Sequence, residues 1–317
     1  ALAALDPRKS QYQLEQAYGH SAVALILEAD GKYAEALGHY RVSLAVKEKL
    51  VRRAPNDADA QAELARAYNK VCAVLHQMGD LRGARESAQR EVAIYRALIA
   101  RDPRQTQYRQ RLAVALAFLG RELHALGQRD AAFALWQEEL AIDRQLAARD
   151  PKNARWQANT AGALHRLAIE RGNRGDVAGA LAACAEARER IAKTPALAVD
   201  RALIDITEAR LRRSPELLRT TIAEMKRLHA TDSSARRAVA EAALLLGELE
   251  PRSADASWRE AEDMLAPLIT KSNDVETLGL WLRILARRHR TGEARAVLAR
   301  LRATGYATNE LEPFLKE

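Results

Sequence analysis

Side chains capable of chemistry are few in this sequence, and their spacing says more than their number. His76 and His124 stand 48 residues apart, and imidazole is both the commonest metal ligand and the usual acid–base group near neutral pH. Equivalent positions on neighbouring packed helices lie about 10 Å apart, too far for one ion to bridge. Cys72 and Cys184 are more than a hundred residues apart, without disulfide-framework or metal-ligand spacing. No HExxH pair, glycine-rich phosphate loop or Gly-x-Ser-x-Gly elbow occurs. The expectation is no catalytic residue, no metal site and no cofactor. The remaining Arg, His and Asn side chains suit binding, with Arg the best bidentate donor to a carboxylate.

The elements that position these residues are marked by punctuation. Pro7, Pro55, Pro103 and Pro151 are spaced 48 residues apart, and so are Gly31, Gly79, Gly127 and Gly175. Each glycine follows its proline by 24 residues. Between them runs a helix with apolar residues at 3–4 spacing, such as Leu112, Leu116, Leu119 and Leu123. Glycine ends that helix because it alone takes the left-handed conformation cheaply. A second helix runs to the next Asp-Pro or Ala-Pro, where the residue before proline leaves the α region. Each period is therefore an antiparallel helical hairpin. An aromatic residue five after the proline (Tyr12, Tyr108, Trp156) is expected to fill the gap between neighbouring repeats.

Composition agrees with an all-α chain. Of 317 residues, 48% are hydrophobic and only 5% aromatic, and Ala, Leu, Arg and Glu dominate. The net charge is +8, which favours acidic partners weakly and with screening. The basic residues alternate with acidic ones, as in Arg188-Glu189-Arg190, without the aromatic interleaving of a nucleic-acid surface. No nucleic-acid partner is expected. No apolar run spans a bilayer. A soluble domain without membrane insertion follows, cytoplasmic, or periplasmic if a parent protein is membrane-anchored.

These residues resemble the tetratricopeptide repeat, whose 34-residue consensus carries a small residue in helix A and an alanine in helix B. The small residue falls at Ala24, Cys72, Gly120 and Ala168, and the helix-B alanine at Ala36, Ala84, Ala132 and Ala180. The leucine before the small residue reads Val23, Val71, Leu119 and Leu167. The Phe-like position reads Tyr40, Ala88, Trp136 and Cys184, and the Tyr-like one Leu27, Leu75, Leu123 and Arg171. The extra 14 residues divide into seven per helix, about two turns each, so the apolar faces keep their direction.

The resemblance implies a right-handed α-solenoid of stacked antiparallel hairpins, with residues 1–193 as four regular repeats and 194–317 as degenerate hairpins and a C-terminal cap. It also implies that helix A lines a concave face where peptides bind. Mapped through the glycine, that face carries Tyr18, Ser21, Glu28, Arg66 and Asn69, and further along His76, Arg121, His124 and His165. The expected function is a non-catalytic scaffold for a protein or peptide with an acidic segment. A homo-oligomeric assembly module is the alternative, and a nucleic-acid-binding regulator a lesser one. The long repeat resembles those of bacterial multidomain signalling proteins, which often carry a serine/threonine kinase, and the stretch Leu301 to Tyr306 resembles their tails. Leu2-Ala-Ala-Leu-Asp-Pro7 reads like the end of a helix B, so a preceding helix and effector domain are expected upstream.

After the fourth repeat the next proline, Pro195, comes after 44 residues, predicting a helix B about one turn short. Further helices are predicted near 197–211, 215–230, 233–248, 256–269, 275–289 and 292–303, the last pair as a degenerate repeat. Trp258 and Trp281 are expected in the core.

Overall fold

The computed structural model describes residues 10–229, 232–269, 273–309 and 311–315, and among them every regular element is helical. Six helices open the chain: α1 (Ser10–Ala29), α2 (Tyr33–Arg53), α3 (Ala58–Gln77), α4 (Leu81–Arg101), α5 (Thr106–Ala125) and α6 (Arg129–Arg149). Then come α7 (Ala154–Asn173), α8 (Val177–Ile191), α9 (Ala198–Arg212), α10 (Pro215–His229) and α11 (Ser233–Leu249). The last three are α12 (Ala254–Ile269), α13 (Val275–Arg287) and α14 (Thr291–Ala303). The segment 1–9, which carries the expected end of an earlier helix, lies outside the described residues.

The four turn glycines do what their spacing requires. Gly31, Gly79, Gly127 and Gly175 have φ of 73°, 78°, 79° and 84°. In the second turn the Gly79 N–H donates to the His76 carbonyl at 2.9 Å and the Asp80 N–H to the Leu75 carbonyl at 2.9 Å. The same pair of bonds closes the other three turns, satisfying carbonyls that a helix end leaves orphaned. Asp80 and Asp176 then cap α4 and α8, accepting from the Gly83 and Gly179 amides at 2.9 and 2.8 Å. At the far end of the period, Ala54 and Asp102, each preceding a proline, are extended with φ near −133° and −132°.

The chain divides into two compact units, Ala1–Leu135 and Trp136–Glu317, with the division inside α6. In the first unit consecutive helices pack from α1 to α5, and α3 also touches α5. In the second, consecutive helices pack from α7 to α14, and α7, α9, α11 and α13 touch one another in succession. Helices α9, α11 and α13 thus form a row of second neighbours, each also packed against the helix between. The last hairpin shows the same turn with a costlier residue: His289 (φ 56°) stands where glycine would, and Arg290 N–H donates to Leu285 O at 2.9 Å.

Small residues set how closely the helices approach. Ala36, Ala84, Ala132 and Ala180 are all fully buried, and so are Ala24, Cys72 and Ala168. A larger side chain at any of these overpacks a helix contact, at a cost of about 1–3 kcal/mol. Val71, Leu119 and Leu167 are buried, whereas Val23 is 43% exposed. Val71 sits on α3, which packs against α2 before it; no described helix precedes α1 to cover Val23 in the same way. At the Tyr-like position of the fourth repeat, Arg171 donates to the Gly179 carbonyl at 3.2 Å, tying α7 to the start of α8 with a polar bond.

The later helices lie within a few residues of their predicted ranges. One expectation needs adjustment: α8 has 15 residues against 21 in α2, nearly two turns less rather than one, and a 3-10 turn at Pro195–Leu197 takes up the difference. Trp281 is buried and Trp258 half-buried, its indole N–H donating to the Leu244 carbonyl at 3.3 Å.

Candidate functional site

The first unit holds a cleft of about 420 Å³ between α1, α2 and the start of α3, within the usual size range of ligand pockets. Leu14 and Leu50 give it apolar wall, and Tyr18, Lys47, Glu63 and Arg66 its polar end. Lys47 is buried, yet its ammonium donates to Glu63 Oε2 at 3.0 Å and lies 5.2 Å from the centroid of the Tyr18 ring. Arg66 bonds the other oxygen of Glu63. Burial pushes the Glu63 carboxyl upward, but the hydrogen bonds from Arg66 and Lys47 outweigh it and hold the group below its ordinary range. Two cations thus share one carboxylate, and Arg53 with Asp57 and Asp59 completes a mixed charged rim beside the apolar wall. Tyr18 and Leu25 on α1 are 40% and 53% exposed, one face of the helix at i and i+7.

The other expected groove residues of this unit are tied into the fold to different degrees. Ser21 and Ser43 hydroxyls meet at 2.8 Å, and Glu28 accepts from the Tyr40 hydroxyl at 2.8 Å. Asn69 donates to Glu91 Oε2 at 3.0 Å. Glu91 is buried, and burial raises its carboxyl to about 8 despite the Asn69 bond and the charge of Arg111. His76 is buried on α3 with Nδ1 3.0 Å from the fully buried carboxylate of Glu122 on α5. Arg121 reaches the same carboxylate through Nε at 3.1 Å and Nη2 at 2.9 Å, with its guanidinium 4.7 Å from the Phe118 ring centroid. His124 is half-buried near the end of α5. Cys72 is buried in the same neighbourhood, its thiol pushed well above the ordinary range by burial, which leaves it inert.

In the second unit, His165 Nε2 lies 2.9 Å from the Thr207 hydroxyl, which itself donates to the Leu203 carbonyl at 3.1 Å. The hydroxyl must therefore accept from the imidazole, which fixes the proton on Nε2. Burial, then the neighbouring Arg166, holds His165 down at about 4, so it is neutral at physiological pH. Glu139 and Asp143, one turn apart on α6, are both buried. Arg166 pairs with Glu139, while neither oxygen of Asp143 has a hydrogen-bond partner. Burial lifts both carboxyls to about 7.

Comparison of the sequence with protein-family profiles and with curated proteins finds no match. Solved structures do resemble the fold. The apo form of RapI aligns over 95% of this chain and 98% of its own, with a TM-score of 0.60 and 13% identity. A Rap conjugation gene regulator of the plasmid pLS20, in complex with the Phr* peptide, covers 94% of this chain and 74% of its own, at TM-score 0.57 and 15% identity. A Rap protein complexed with Competence and Sporulation Factor covers 94% and 76%, at 0.55 and 14%. The fold is a tetratricopeptide-type helical repeat.

Within that tetratricopeptide frame, the polar residues that the sequence analysis did not single out include Glu63, Glu122 and Arg166 on helix A and a recurring set on helix B. Ser43, Glu91 and Glu139 recur at 48 residues, as do Lys47, Tyr95 and Asp143. The repeat ruler marks their recurrence, and only the packing of the neighbouring helix shows that they are buried.

Proposed function

We propose that the protein is a non-catalytic interaction scaffold whose helix-A face binds a peptide or protein segment carrying acidic residues. The observation that carries this is the cleft at Tyr18, Lys47 and Arg66, where one carboxylate is shared by two cations beside exposed Tyr18 and the apolar wall of Leu14 and Leu50. A carboxylate on the partner meets Lys47, Arg53 and Arg66 in competition with the cleft's own acids, and an apolar neighbour fills the wall. The Rap regulator in complex with the Phr* peptide supports the reading, since its fold is similar. The scaffold serves as the sensor or docking region of a larger bacterial signalling protein, with Arg121 and His124 extending the face along α5. Panning a random-peptide display library against the chain tests it: a consensus of acidic and apolar residues is expected, with binding weakened by salt and by R66A/R121A. Binding that survives both changes, or no consensus, contradicts it.

A second reading is self-association, favoured by exposed Val23, Ile26 and Val42 (43%, 64% and 41%) on the first hairpin. Light scattering over a concentration series separates the two, because a constant monomer mass removes this reading and leaves the first intact.

A further inference from the structure

His20 on α1 and His39 on α2 face each other with Nδ1 atoms 3.0 Å apart and ring centroids 5.2 Å apart, the planes inclined by 38°. We infer that this pair is a bidentate site for a divalent transition-metal ion of the copper(II) or nickel(II) kind. Two metal–nitrogen bonds of about 2.0–2.1 Å spanning 3.0 Å enclose an angle of roughly 90–95°, the cis angle of square-planar or octahedral coordination. Among first-row divalent ions copper(II) holds nitrogen donors most tightly, which makes it the ion to test.

The hairpin sets the two imidazoles side by side before any ion arrives, and each ring has only to turn to present its lone pair. Ala24 and Ala36, one turn from each histidine, are fully buried where the helices approach, and the Ser21–Ser43 bond of 2.8 Å fixes the adjacent register. Both rings are half-buried, and Val42, three residues along from His39, is exposed beside the pair. The repeat ruler shows that the histidines replace residues that are mostly buried in the later repeats. At the same two positions the later repeats carry Tyr68 and Ser87, Leu116 and Leu135, and Leu164 and Ala183. Only the first repeat places imidazole at both.

Without metal, one ring donates its Nδ1 proton to the lone pair of the other. Binding turns both lone pairs to the ion, so the donating ring exchanges its proton through water from Nδ1 to Nε2. Each ring stays neutral, with an N–H left on Nε2, and the remaining coordination positions fall to water or to a donor brought by another molecule.

The test uses the whole chain, stripped with EDTA and titrated with copper(II) while calorimetry and pulsed electron paramagnetic resonance are recorded. One equivalent should bind with two coupled imidazoles. H39S, which copies the serine found at position 87, and H20Q should each weaken binding by roughly tenfold or more and leave one coupled imidazole. Circular dichroism confirms that each variant is folded, and either folded variant suffices. Unchanged affinity with two imidazoles still coupled in H39S or H20Q overturns the proposal, as does wild-type binding no tighter than that of the H20Q/H39S double variant.

Discussion

Asn69 on α3 gives its amide to the carboxylate of Glu91 on α4 at 3.0 Å, across 22 residues of chain. Ser21 and Ser43 repeat the relation at the same offset in the preceding hairpin, hydroxyl to hydroxyl, at 2.8 Å. A helix-A position expected to face a partner is thus answered from inside the hairpin by helix B. The buried polar group on helix B is the one with the most to lose, and its protonation can be read from outside.

Glu91 is raised from an ordinary 4.5 to about 8 by burial. A carboxyl raised on folding binds its proton more tightly in the folded chain than in the unfolded one. Its contribution is therefore fully present below about pH 4.5 and is lost as pH climbs to about 8. E91Q keeps an acceptor for Asn69 without the charge. It should match wild type near pH 4.5 and exceed it by on the order of 1–3 kcal/mol at pH 8.5. Urea unfolding at several pH values checks this, and parallel wild-type and variant curves would contradict it.

Arg213 and His289 occupy left-handed backbone, φ 52° and 56°, at turns built like those of Gly79 and Gly127. A side chain there carries strain of about 1 kcal/mol that glycine avoids. R213G and H289G should each stabilise the fold by about 0.5–1 kcal/mol, partly offset by the greater freedom of glycine in the unfolded chain. G79A should do the opposite. Equal melting temperatures for all three variants would show that these turns do not share one geometry.

His76 was grouped with the groove residues by its repeat position, but it is buried against Glu122. H76A removes one partner from a fully buried carboxylate that Arg121 still holds, a loss of about 1–3 kcal/mol. Chemical denaturation gives the number, and no loss would mean that the pair contributes nothing to the α3–α5 contact.

The sequence states where each hairpin turns, because a glycine in the left-handed region and a residue forced out of the α region before proline are local facts. The start of α10 is local in the same way, Ser214 before Pro215 accepting from the Leu217 N–H at 3.3 Å. Burial of a polar residue is not local. Lys47, Glu91 and Glu139 look like members of a solvated charged surface until the neighbouring helix is set against them. The first repeat shows the converse: Val23 matches Val71 in sequence, yet it is exposed for want of a described helix over it. The His20–His39 pair has no counterpart in the other repeats, so no periodicity could reveal it.

The central claim, that the helix-A face around Tyr18 and Arg66 receives an acidic segment, is tested most directly by mapping hydrogen exchange with and without a peptide selected against the chain. New protection should concentrate in α1 and the first half of α3, around the cleft of about 420 Å³, and fade as salt is raised. Protection confined to α2 and α4, with α1 and α3 unchanged, would contradict the account.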